Sequence, residues 1–98
     1  METEFKDKDL DRLETDTEFT AGYDRATVKA FRKRMQAIRA ANDERDLYAV
    51  KGNHFEKLKG DRAHQRSLRL NDKWRLIVEI KSGNPKNTVV VVNIEDYH

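Results

Sequence analysis

Apolar residues recur along this 98-residue chain at two periods, three to four residues in the first half and two in the second. Leu10 and Leu13 sit at helical spacing in an acidic stretch, which predicts a short helix over Phe5 to Leu13. The next segment is stronger. Asp24 stands where an N-cap belongs, and Val28, Phe31, Met35 and Ile38 follow at helical intervals, predicting an amphipathic helix to about Ala41. Its other face carries Lys29, Arg32, Lys33, Arg34 and Arg39, available to RNA or to an acidic partner. Gly52 and Gly60 then punctuate the chain, and beyond them the alternation is that of strands. Arg66 to Leu70 and Trp74 to Ile80 read as a hairpin. Ser82 to Asn87 reads as a turn, and Thr88 to Glu95 as a final strand whose valine run suits burial on both faces. Helices followed by strands predict a single α+β domain, 1–98, with two N-terminal helices packed on one face of a mainly antiparallel sheet.

The hairpin register follows from matching faces. A two-residue loop would set Leu70 against Lys73 and Leu68 against Arg75, apolar against charged. A three-residue loop, Asn71 to Lys73, pairs Leu70 with Trp74 and Leu68 with Leu76 on one face. Arg69 then lies opposite Arg75 on the other. Like charges directly opposed are unfavourable unless an anion lies between them, so this face is a place for a phosphate.

A net charge of +2 conceals segregation. Residues 1–24 hold nine acids and three bases, whereas residues 57–75 hold seven bases and two acids. Lys57, Lys59, Arg62, Arg66, Arg69 and Lys73 are therefore candidate RNA contacts, with Arg75 in the same basic stretch. The chain has no cysteine, which removes thiolate metal sites, thiol nucleophiles and a disulfide framework. It starts Met1-Glu2-Thr3-Glu4 without a long apolar run, so no signal peptide, membrane span or membrane partner is expected, and the expected location is the cytoplasm.

His54, His64 and His98 have no paired metal-ligand spacing, and no phosphate-cradling glycine loop, nucleophile elbow or dinucleotide fingerprint occurs. Neither metal nor cofactor is expected. Acid, base and arginine chemistry remains, and it suffices for metal-free RNA cleavage. A ribose 2′-OH attacks the adjacent phosphate, one group removes its proton, another protonates the leaving oxygen, and a cation stabilises the phosphorane charge. The terminal Asp96-Tyr97-His98 supplies an acid, a phenol and an imidazole at the end of a buried strand.

The run Lys57-Leu58-Lys59-Gly60-Asp61-Arg62, then Ser67 to Arg75 with its Ser, Arg, Asn and Trp-Arg, then Asp96-Tyr97-His98, resembles the plasmid-maintenance killer toxins of the HigB type within the RelE/ParE superfamily. The resemblance implies the toxin of a type II toxin–antitoxin pair that cleaves mRNA in the ribosomal A site and inhibits translation. It implies as partners a cognate HigA-like helix-turn-helix antitoxin, the ribosome and mRNA, with operator DNA reached only through the antitoxin complex. Carried onto this chain, His98 is a candidate acid or base and Tyr97 orients a base or donates to the phosphate. Asp96 fixes the His98 tautomer, Arg75 holds the scissile phosphate and Lys59 adds positive charge. The gyrase-poisoning, non-nuclease branch of the superfamily is the alternative, and the terminal Asp-Tyr-His speaks against it.

One position departs from the pattern. Some relatives carry a histidine two residues before the leucine of Leu-Lys-Gly-Asp-Arg, where this chain has Glu56, with His54 two residues further upstream. A strand over Phe55 to Leu58 would turn residues 54 and 56 to the same face. Either His54 or Glu56 is then a candidate for the missing proton-transfer group.

Overall fold

In the computed structural model, which describes residues 1–96, helices cover one face of a five-stranded sheet. The strands are β1 (Glu2–Phe5), β2 (Glu56–Lys57), β3 (Gln65–Arg69), β4 (Trp74–Lys81) and β5 (Thr88–Asp96), in the order β1-β5-β4-β3-β2. The helices are α1 (Lys8–Thr15), α2 (Arg25–Ala40) and α3 (Glu44–Ala49). All pairings are antiparallel except β1 with β5, so the sheet is mixed but mainly antiparallel.

The long helix begins as its sequence requires, with the Asp24 carboxylate accepting from the Thr27 amide at 2.8 Å. Val28, Phe31, Met35 and Ile38 are buried along its inner stripe. They join Leu10 and Leu13 of α1 and Leu47 of α3 against Leu68, Leu76, Val78, Val89, Val91 and Ile94 of the sheet. The hairpin has the expected register: Ser67 faces Ile77, Leu68 faces Leu76 and Arg69 faces Arg75. A register shift between Ile77 and Val78 takes up Val92 as an extra residue on β5. Val89 and Val91 therefore face the helices while Val90, also buried, lies on the far face, as the valine run suggested.

Two elements differ from expectation. The helix expected from Phe5 begins only at Lys8, and residues 2–5 instead form an edge strand. Four residues, two of them acidic, hold little strand signal of their own. Their partner lies far along the chain in β5, and the Met1 backbone nitrogen donates to the carbonyls of Ile38 (3.1 Å), Arg39 (3.0 Å) and Ala41 at the end of α2. The third helix, α3, was not anticipated. With six residues it buries one large apolar side chain, Leu47, too few for a periodicity to register.

The β3–β4 turn is clamped to the helix layer by Asn71. Its side-chain oxygen accepts from the Lys73 and Trp74 amides, both at 2.9 Å, and its amide donates to the buried Thr27 hydroxyl at 2.9 Å. Asn71→Ala strips three bonds and leaves that hydroxyl without its donor. The expected loss is about 1–3 kcal/mol in urea unfolding; an unchanged midpoint would mean that the turn holds without the clamp.

Candidate active site

Alternation along β3 and β4 sends Ser67, Arg69, Arg75 and Ile77 to the face away from the helices. This face is not bare, because Ser67 and Ile77 are buried although they lie outside the main core. Arg62, in the connection between β2 and β3, reaches Glu95 on β5, so the strand order requires that this connection fold over the face of β3 and β4. On the same face lies a cleft of about 290 Å³ lined by His54, Glu56, Arg69, Asn71, Asp72 and Arg75.

Within the cleft Arg75 is the most enclosed cation, its side chain 17% exposed. Its Nη1 donates to the buried Ser67 hydroxyl at 3.2 Å and lies 3.7 Å from the Glu56 carboxylate. Glu56 pairs across β2 and β3 with Ser67, which puts it on the same face. Arg69 is held by Asp72 of the turn. The anion that two opposed arginines call for is thus provided by the protein's own carboxylates. Both are exposed, at 58% for Glu56 and 96% for Asp72, so an incoming phosphate can compete for the guanidinium groups.

His54 reaches this cleft by a different route from the one expected. The strand covers only Glu56–Lys57, and His54 ends a 3-10 turn at Lys51–Asn53 in the left-handed region, with φ 43°. Histidine is among the few non-glycine residues that enter this region with any frequency. Arg34 fixes the turn: its Nε donates to the Arg69 carbonyl and its Nη2 to the Gly52 carbonyl, both at 2.8 Å. Burial, and then Arg69 nearby, lower its pKa, yet a guanidinium so placed stays charged. The sequence offered Arg34 only as a surface cation of α2, and no local pattern distinguishes it from Lys33.

The remaining basic residues scatter. Arg66 points to the helix side, where it pairs with Glu44 of α3 at 3.0 Å, and Lys57, its cross-strand partner, lies on that side too. Lys73 caps the Trp74 ring at 4.9 Å. Lys59 is exposed and does not line the cleft. Of the six candidate RNA contacts, Arg69 alone lines it.

Arg62 grips Glu95 through both oxygens, at 2.9 and 2.6 Å, and Gln65 at 2.9 Å. Glu95 is the cross-strand partner of Arg75, so β5 finishes beside the cleft, and Asp96 follows opposite Trp74. Tyr97 and His98 lie outside the described residues. The Arg62 hydrogen bonds hold the Glu95 carboxyl below its usual range despite some burial. A lowered carboxylate pKa contributes stability that is complete above the ordinary value, near 4.5, and is lost as pH falls through the lowered one. Arg62→Gln should therefore lower the urea midpoint more at pH 7 than at pH 3. An equal loss at both would show that the ion pair adds nothing.

The arrangement offers two guanidinium groups, an imidazole and two carboxylates around one opening, a set suited to phosphate chemistry. The sequence matches the family of RelE-like toxins of the type II toxin–antitoxin system HigB over residues 3–98. It is 33% identical over 88 residues to Toxin HigB-1 of Vibrio cholerae serotype O1 (strain ATCC 39315 / El Tor Inaba N16961), covering 90% of this chain and 93% of that protein. In structure it is similar to a YoeB/ParE toxin from Agrobacterium tumefaciens, with a TM-score of 0.63, 17% identity and full coverage of both chains. A conserved hypothetical protein from Helicobacter pylori gives 0.54 at 14% identity, over 99% of this chain and 94% of that one. At those identities the two structures attest the fold, while the near full-length family match carries the assignment: this chain belongs to the HigB-like family of RelE-like toxins of type II toxin–antitoxin systems.

Proposed function

We propose that this toxin is a ribosome-dependent endoribonuclease that cleaves mRNA in the A site by metal-free acid–base catalysis and so inhibits translation. The observation that carries the proposal is the enclosed Arg75, opposed by Arg69, in a cleft that also holds His54 and Glu56 and that β5 borders at its end. In this reading a scissile phosphate displaces the Glu56 carboxylate from Arg75, and the guanidinium takes two of its oxygens. The base removes the proton of the ribose 2′-OH, the 2′-oxygen bonds to phosphorus, and the P–O5′ bond breaks. The acid protonates the departing 5′-oxygen, leaving a 2′,3′-cyclic phosphate and a free 5′-OH. The terminal His98, with Tyr97 and Asp96, provides one proton-transfer partner, and Lys59 adds positive charge outside the cleft.

His54 is assigned the second proton role, because an imidazole accepts a proton when neutral and donates one when protonated. Glu56 is assigned as the displaceable counter-ion of Arg75. His54→Asn keeps a residue that tolerates the left-handed conformation and removes the imidazole. It should lower cleavage about a hundredfold or more with little change in stability, whereas Glu56→Gln should cost less than tenfold. The reverse order of effects would transfer the role to Glu56.

The deciding experiment maps mRNA 5′ ends after induction of the wild type and of His98→Ala in growing bacteria, followed by cleavage with purified ribosomes. New ends within translated codons, absent in the variant, are expected. Growth arrest without new ends would refute the nuclease reading and leave a toxin that acts by binding alone.

A further inference from the structure

A groove of about 920 Å³ runs along the outer side of α2, on the helix layer and so across the sheet from the cleft. Its floor is apolar, formed by Phe19 and the buried Val28, and one wall is the α1–α2 connection around Glu18. That wall is built rather than loose. Arg32 donates to the carbonyls of Leu13 (3.0 Å), Asp16 (2.9 Å) and Phe19 (3.4 Å), and the Arg12 guanidinium covers the Phe19 ring at 4.1 Å.

Arg25, Lys29 and Lys33 form the other rim at a spacing of four residues, one charge per turn of α2. All three are exposed, and among the described residues none of them takes part in an ion pair. Elsewhere the surface is laced with such pairs. Arg12 is paired with Asp16, Arg39 with Glu14, Arg45 with Asp43 and Arg66 with Glu44. A row of unneutralised cations beside an apolar floor is complementary to a segment that carries acids on one stripe and apolar side chains on the next.

From Arg25 to Gln36 the groove extends about 16 Å along the helix, enough for about three turns of a second helix. A phosphodiester backbone would use the cations and gain nothing from the floor, so the observations favour a protein. Membership of a toxin–antitoxin family implies an antitoxin as partner. We infer that this groove is the docking site of an acidic amphipathic segment of the antitoxin, held by Arg25, Lys29 and Lys33 over Phe19 and Val28. The inference rests on family membership and is independent of whether the cleft cuts RNA.

The test titrates the cognate antitoxin into the full-length chain. The variants are the triple reversal Arg25→Glu, Lys29→Glu, Lys33→Glu, the milder Lys29→Ala, Lys33→Ala, and the surface control Lys86→Glu, with a single-stranded RNA 12-mer as a second ligand. Antitoxin affinity should fall about a hundredfold or more in the reversal, measurably in the double alanine variant, and not in the control. The reversal should also arrest growth when the antitoxin is co-expressed at a level that neutralises the wild type. Antitoxin binding within threefold of wild type would overturn the inference. So would a loss confined to RNA, which would assign the groove to nucleic acid.

Discussion

Replacing Arg75 by alanine is expected to lower ribosome-dependent mRNA cleavage about a hundred- to thousandfold and to leave the fold intact. Arg75 is the enclosed member of the arginine pair and is preoriented by the Ser67 hydroxyl and by Glu56. In the proposed mechanism a cation fixed in advance where phosphorane charge develops needs no reorganisation when the reaction occurs, so its removal would act on the chemical step rather than on binding. The stability cost is smaller. Among the described residues, Ser67 loses one hydrogen bond and the exposed Glu56 a cation, about 1 kcal/mol for these two contacts. Arg75→Lys keeps the charge but not the planar fork, so it should recover only part of the rate. Single-turnover cleavage on programmed ribosomes, with urea unfolding alongside, separates the two effects. Equal single-turnover rates for Arg75→Ala and the parent would remove Arg75 from the mechanism, whereas a lower midpoint with an unaltered rate would make it a structural residue.

The register of β3 and β4 was legible because it is a local problem: three loop residues and the matching of Leu68 with Leu76 leave one acceptable solution, and Arg69 then has to face Arg75. The Asp24 cap and the α2 stripe were legible for the same reason. The edge strand Glu2–Phe5 was not, since its pairing partner lies far along the chain in β5 and its anchor is the end of α2. The site divides along the same line. Arg75 and Glu56 follow from strand alternation, but the reach of Arg62 to Glu95 and of Arg34 to the Gly52 carbonyl depends on elements brought together only by the tertiary fold. Clustering in sequence misled about the basic stretch, because residues 66 and 69 lie an odd number of positions apart on one strand and so face opposite sides. Arg66 is consequently an ion-pair partner of α3 while Arg69 enters the cleft.

The second large effect is expected at His98. Glu95 lies directly across from Arg75 and is gripped by Arg62, so β5 ends beside the cleft. The assignment of His98 itself rests on the resemblance of the terminal Asp96-Tyr97-His98 to the family's closing residues. If its imidazole serves one of the two proton transfers, His98→Ala should slow single-turnover cleavage about a hundred- to ten-thousandfold, with unaltered unfolding. The pH–rate profile should lose one limb, and added imidazole should restore part of the rate. A structural role for the ring would give neither the lost limb nor the rescue. His98→Ala and His54→Asn should each remove a different limb, one from the low-pH side and one from the high-pH side, since one group acts deprotonated and the other protonated. Loss of the same limb in both variants would mean that the two imidazoles serve a single step, and the other proton would then have to pass through Glu56 or Tyr97.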